Sequence, residues 1–300
     1  MARVIDLEIG LPKSEANPEL ERITHGRPGT PFPHSLPRPE GYGFDNYERV
    51  FRVRGAQAQP ASLDDGGLGR LVQDMDRADI RCGLLVGADN SAIGEIHARF
   101  PGRFFTLVTI DPTDGMRGVR ELERLVREHG AGGIRVSPLY TSIPADDKRY
   151  YPLYAKCVEL KVPVRIYTSM TYANDRPYDI AHPRHLDDIC IHFPELRVIA
   201  GLAGWPWIND MVGLLRRHPN LYADTAAHRP KYLATPGSGW EQFLQFGNTL
   251  LQDKIMVGLS RYLLGSSFEE LIGEYRALPI KDKVMEKWLY ANAARFFELD

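Results

Sequence analysis

Three hundred residues, 43% hydrophobic and 25% charged, are enough for one large globular domain or two small ones. With 37 basic against 39 acidic residues the formal charge is −2, which excludes the broadly basic surface that nucleic acids require. The three isolated cysteines, Cys82, Cys157 and Cys190, fit a reducing compartment better than a disulfide framework, and no run approaches the roughly 18 apolar residues of a membrane helix, so the expectation is a soluble, cytoplasmic protein.

The chain opens on the apolar run Val4-Ile5-Asp6-Leu7-Glu8-Ile9-Gly10. Side chains alternate along a strand, so Asp6, Glu8 and Gly10 are expected on one face and Ile5, Leu7 and Ile9 on the other. Residues 12–67 follow as a long stretch rich in Pro, Gly and charge. Its aromatics, Phe32, Tyr42, Phe44, Tyr47 and Phe51, are more than a disordered linker needs, which predicts an ordered excursion covering one end of the domain.

From residue 68 the text becomes regular. Helical spacing over 68–78 (Leu68, Leu71, Val72, Met75) leads to a strand at 83–86. Helix 92–100 precedes strand 104–110, which Asp111-Pro112 closes. Helix 118–129 precedes strand 133–136, helix 151–160 precedes strand 163–167, and helix 185–193 precedes strand 196–200. Helix 208–217 then leads to strand 221–224, and helix 239–248 to strand 254–258. Helices 267–277 and 282–297 finish the chain. Eight strands, seven of them preceded by helix, imply βα units and a parallel sheet. That number of units fits a (β/α)8 TIM barrel of about 250 residues with a long insertion after the first strand, in a single domain over residues 1–300. The insertion would cap the mouth, and the first strand would turn its acidic face into the barrel near the C-terminal ends of the strands.

These segments resemble the amidohydrolase-related family, the metal-dependent barrels that include aminocarboxymuconate-semialdehyde decarboxylase and the resorcylate and carboxyvanillate decarboxylases. The resemblance covers the whole chain. It is carried by residues 105–112, by Gly132-Gly133-Ile134-Arg135, by Pro163-Val164-Arg165-Ile166-Tyr167-Thr168 and by Phe193-Pro194-Glu195-Leu196-Arg197-Val198-Ile199 leading to Gly204. It continues in Asp253-Lys254-Ile255-Met256-Val257-Gly258 and in Tyr290-Ala291-Asn292-Ala293-Ala294-Arg295-Phe296-Phe297. It implies a divalent metal such as Zn or Mn, and a homodimer.

The family's first strand reads I-D-x-H-x-H, which places Glu8 and Gly10 on the two histidine positions; decarboxylase members use Glu at the first. The strand-five histidine falls on Tyr167, the strand-six histidine on Gly201 and the strand-eight aspartate on Ser260. A Zn or Mn site needs three or four converging donors. Of these positions only Glu8 readily supplies one, so the residues argue for a barrel without the family metal. His182, His185 and His192 cluster after strand five but read as loop and helix positions.

In place of the metal, strand parity turns Arg165 inward one layer below Tyr167, where its guanidinium would pair with Asp6 or Glu8. Glu8 is the candidate proton carrier, Tyr167 a hydrogen-bond donor or proton carrier, and His228 a second acid/base at the barrel rim. Arg135, Arg165, Arg229, Ser260, Arg261 and Trp205 are candidates for holding a small carboxylated or acyl substrate. The expected chemistry is hydrolysis of a β-keto compound or nonoxidative decarboxylation. The alternatives are a metal-dependent enzyme that uses Glu8 and a non-catalytic binding barrel, since fold does not dictate function.

Overall fold

Local signals divide the chain where the hydrophobic periodicity changes. In the helix Met116–His129 the residues Val119, Leu122 and Leu125 face the core, and Gly130 ends the helix at a φ of 72°, its N–H returning to the Leu125 carbonyl. The helix Phe268–Arg276 starts with Ser267, whose Oγ accepts from the Glu270 N–H at 3.1 Å, the first half of an S-x-x-E cap.

The computed structural model describes residues 3–10, 40–46, 67–86 and 88–299. Among them eight parallel strands follow one another in chain order. They are β1 (Val4–Gly10), β2 (Ile80–Val86), β3 (Phe104–Thr106, resuming at Val108–Thr109), β4 (Ile134–Val136), β5 (Val164–Tyr167), β6 (Val198–Gly201), β7 (Leu221–Asp224) and β8 (Ile255–Met256). Neighbouring strands pair in parallel, with Arg135 opposite Arg165 and Arg165 opposite Ile199. The break in β3 is bridged by the Gly132 N–H to the Thr106 carbonyl (2.8 Å) and the Val108 N–H to the Gly133 carbonyl (2.9 Å). First and last strands meet through the Leu7 N–H to the Val257 carbonyl (2.8 Å) and the Ser260 N–H to the Glu8 carbonyl (3.1 Å). The result is the expected closed (β/α)8 barrel.

Helices precede β2 to β8, beginning with α1 (Gly67–Arg77), whose Leu68, Leu71 and Met75 pack with Val4 and Ile9. Ile5 and Leu7 belong to a different cluster, with Cys82, Ile199 and Met256, so the strict alternation expected of β1 is broken. The register with β2 shifts between Asp6 and Ile9. The physical cause lies in Asp6, whose Oδ1 accepts from the Leu259 N–H (2.7 Å) and the Glu8 N–H (2.9 Å), replacing ladder bonds at the barrel seam with a side chain.

At the N-terminal ends of the strands the chain terminus closes the barrel. Phe297 stacks on Phe105 (4.4 Å between centroids) and Phe296 meets Tyr222 edge-on (4.9 Å), while Arg197 ties the Phe296 carbonyl to the Lys161 carbonyl. The long excursion expected at 12–67 lies largely outside the described residues. Its segment 40–46 is held against the loop after β5: Asn174 accepts from the Gly43 N–H (2.7 Å) and donates to the Gly41 carbonyl, and Asn46 donates to the Tyr172 carbonyl. No helix among the described residues is long and apolar enough to cross a membrane.

Candidate functional site

The C-terminal ends of β1, β5, β6 and β7 converge on one guanidinium. Arg165, 3% exposed, donates from Nε to Asp224 Oδ2 at 2.7 Å, and from Nη2 to Glu8 Oε2 at 2.5 Å and Asp224 Oδ1 at 3.2 Å. Burial by itself would lower the Arg165 pKa, but the two carboxylates more than offset it and hold the group firmly protonated. Nη1 makes no hydrogen bond to the described residues. Asp224, fully buried at the end of β7, also accepts from the Leu202 and Ala226 N–H groups, both at 3.1 Å.

Gly201, at the end of β6, makes this packing possible. A Cβ built there would lie 3.1 Å from Arg165 Cζ, 3.2 Å from Nη2 and 3.3 Å from Nε. The guanidinium therefore fills the volume that a side chain at 201 would enter.

Asp6 sits beside this group without touching Arg165. It is fully buried, its Oδ2 has no partner among the described residues, and burial pushes its carboxyl up to about 7 despite the two N–H groups on Oδ1; Glu8 and Asp224 add to the rise. Of the two expected partners for Arg165, Glu8 is the one that makes the contact. The break in alternation explains why Asp6, on the same face by simple parity, turns instead into the seam.

Tyr167 lies at the mouth end of β5 and donates to the Met170 carbonyl at 3.0 Å; burial, together with Tyr140 and Glu8, raises its phenol well above the ordinary value. The hydroxyl thus keeps its proton. Arg135, half-buried and paired in register with Arg165, lies over the Tyr140 ring (5.6 Å) and makes no ion pair with a described carboxylate. His228 is clasped between Trp205 (5.8 Å between centroids) and Trp240 (4.8 Å). Burial pulls its pKa down to about 4, with the Leu202 backbone and Asp224 opposing, and its Nε2 is enclosed without a hydrogen-bond partner among the described residues. The imidazole is neutral at pH 7. Ser260 adopts a left-handed conformation (φ 46°) and its Oγ accepts from the Ala227 N–H at 2.8 Å, so it fastens the β7 and β8 loops together.

The other two arginines are placed apart from this group. Arg229 is bound by Glu274 (2.7 Å) and Glu270, and Arg261 by Asp74 (2.6 Å) between the rings of Tyr262 and Phe268. Both guanidinia serve as rim ion pairs. Arg229→Ala is accordingly expected to cost only about 0.5–1 kcal/mol in urea denaturation and to leave ligand binding at the barrel mouth unchanged. His182 pairs with Asp210, His185 with Asp146, and His192 with Tyr151, in three separate contacts. Burial pushes the Cys82 thiol up to about 11 and that of Cys190 up to about 12, which removes both as thiolate nucleophiles.

Sequence reasoning missed Asp224 and the role of Gly201. Asp224 could have been found as a carboxylate ending a barrel strand, the position where such folds keep their chemistry. The volume shared by Gly201 and Arg165 has no one-dimensional signature.

The family metal can be tested on the donor set. No group of three His, Cys, Asp or Glu among the described residues is arranged to hold a metal ion. Two of the ligand positions carry Gly201 and Ser260, and the space beside Glu8 is taken by a cation of the protein's own. These residues do not fit a divalent ion in the family's manner.

The Amidohydrolase family model matches residues 32–299. Among curated proteins none matches. Solved structures share the fold. An uncharacterized TIM-barrel protein from Bordetella bronchiseptica is 23% identical over 99% of this chain and 98% of its own, with a TM-score of 0.70. A 5-carboxyvanillate decarboxylase from Sphingomonas paucimobilis is 16% identical over the full length of both chains, with a TM-score of 0.64. A 4-oxalomesaconate hydratase from Rhodopseudomonas palustris is 17% identical over 98% of this chain and 95% of its own, with a TM-score of 0.61.

Proposed function

Because the chain belongs to the Amidohydrolase family, we propose that it is a hydrolase or carbon–carbon lyase of that superfamily, acting on a small carboxylated or acyl substrate with Arg165 in place of a metal ion. The observation that carries this reading is the Arg165 guanidinium, locked between Glu8 and Asp224 over Gly201.

β-Keto hydrolysis and nonoxidative decarboxylation share one requirement. When the carbon–carbon bond breaks, its electron pair moves onto a neighbouring carbonyl oxygen, and the carbon then takes up a proton. In decarboxylation the other fragment leaves as CO2; in hydrolysis water has first added to the acyl carbon, which leaves as a carboxylic acid. The developing oxyanion needs fixed positive charge in a site that does not have to reorganise. Arg165 supplies it through Nη1, the edge its carboxylates leave open. Arg135, one strand over at the same level and free of a described carboxylate, anchors the substrate's own carboxylate, for which a planar guanidinium is well suited. Tyr167, whose one O–H is given to the Met170 carbonyl, offers its oxygen lone pair to a substrate hydroxyl. Glu8, 18% exposed, is the carboxylate that can reach both substrate and solvent and carries the proton. His228, neutral and with Nε2 enclosed between Trp205 and Trp240, backs the site as a wall and moves no proton.

The test is a panel of β-keto acids, β-diketones and hydroxybenzoates assayed with and without a chelator. Turnover that persists under chelation is expected. Arg135→Met should raise KM by about 10- to 100-fold, the equivalent of one charged hydrogen bond, and Glu8→Gln should lower kcat by about 100-fold or more, as for a lost proton carrier. Activity abolished by the chelator and restored by Mn2+ would sink the arginine reading.

A further inference from the structure

In a metal-binding barrel the strand-one and strand-six ligands meet at one cation. Here the strand-one position is Glu8, the strand-six position is Gly201, and the guanidinium of Arg165 lies between them. Nη2 is 2.5 Å from Glu8 Oε2 and 3.2 Å from Asp224 Oδ1, so two carboxylates from the strands that flank β8 already converge on one positively charged point. Two carboxylates with water completing the shell are a common way to hold a hard divalent cation. A third carboxyl, that of Asp6, lies close enough to feel both charges, is fully buried and has an oxygen without a partner among the described residues.

We propose that the Arg165 guanidinium excludes a divalent cation from this barrel by occupying its place, with Gly201 providing the space, and that removing the guanidinium turns Glu8 and Asp224 into a cation site. The exclusion is mutual. A Cβ at 201 already lies 3.1 Å from Arg165 Cζ, so an imidazole at 201 would crowd a guanidinium at 165, whereas with a short residue at 165 it would enter the volume as a third ligand. Asp224 takes part through a different strand from the one the family uses for its aspartate, whose position here is Ser260, with Oγ engaged by the Ala227 N–H.

The inference rests on reading Arg165 as the site's cation, but it is tested without a substrate, so failure to find an activity does not decide it. Mn2+ is titrated into the wild-type protein and into Arg165→Ala, Arg165→Ala/Gly201→His and Glu8→Gln/Arg165→Ala/Gly201→His, with free Mn2+ followed by electron paramagnetic resonance. Wild type is expected to show no stoichiometric uptake, and Arg165→Ala a single weak site. The double variant should bind on the order of 100-fold more tightly than Arg165→Ala, in line with the dependence of affinity on ligand number and charge. The triple variant should lose most of that gain. If the double variant does not fold without metal, Mn2+ should restore the wild-type far-UV circular dichroism spectrum. One equivalent of Mn2+ bound by wild type and lost in Glu8→Gln overturns the proposal, as does a double variant that, folded or not, neither binds Mn2+ nor is restored by it.

Discussion

Asp224→Ala is expected to lower the free energy of unfolding by about 3–5 kcal/mol, the usual cost of removing one partner from a buried ion pair. Asp224 is fully buried and accepts four hydrogen bonds: two from Arg165 and one each from the Leu202 and Ala226 N–H groups. Alanine would leave a guanidinium that is 3% exposed with Glu8 as its sole carboxylate and would strand two backbone donors. The double variant Asp224→Ala/Arg165→Met should recover the part of the loss that comes from the unpaired buried charge, while the Leu202 and Ala226 N–H groups stay without their acceptor. Urea denaturation of the wild type, both single variants and the double variant gives the coupling energy. A single-variant loss under about 1 kcal/mol, the level of an exposed pair, would contradict the buried arrangement.

The second large effect depends on pH and comes from Asp6. In the unfolded chain this carboxyl ionises near its ordinary 3.8, whereas in the folded protein burial pushes it up to about 7. The folded state therefore holds a proton that the unfolded chain has released. The stability this contributes is complete below about pH 4 and is lost as pH rises through about 7, with a slope of up to about 1.4 kcal/mol per pH unit. Asp6→Asn cannot ionise and keeps an oxygen for the Leu259 and Glu8 N–H groups. Its stability relative to wild type should rise through that window and level off above it. Unfolding midpoints in urea at several pH values from acid to slightly alkaline check this, and a difference independent of pH would show that Asp6 stays ionised when buried.

The barrel was legible because its units repeat and each carries its own signals. Val119, Leu122 and Leu125 recur at helical spacing, and Gly130 stops that helix by local geometry. The inward direction of Arg165 followed from parity along β5, where the alternation is regular. Along β1 the same rule failed past Asp6, because a side chain accepting backbone N–H groups from across the seam shifts the register, and no spacing in one strand records a bond to residue 259. The Arg165–Asp224 contact joins residues 59 positions apart, and nothing near either residue announces it. Arg229 and Arg261 were drawn to the site as rim positive charges; what holds them away are Glu270, Glu274 and Asp74, which lie on helices whose packing the sequence pattern does not orient. Residues 40–46 of the long excursion after β1 pack against Tyr172 and Asn174, contacts across 126 and 131 positions that no local pattern records.

The close fit of Arg165 over Gly201 also orders the routes by which such a chain can change. A guanidinium at 165 and a side chain at 201 crowd one another, and the larger the side chain at 201 the further Arg165 must move from its place between Glu8 and Asp224. The uncrowded route between the two runs through an intermediate with glycine at 201 and a short residue at 165, in which Asp224 is buried without a counter-charge. That intermediate is the least stable of the three states. The two positions are therefore coupled in sequence space, and a bulky side chain at 201 is accommodated best once the guanidinium at 165 is gone.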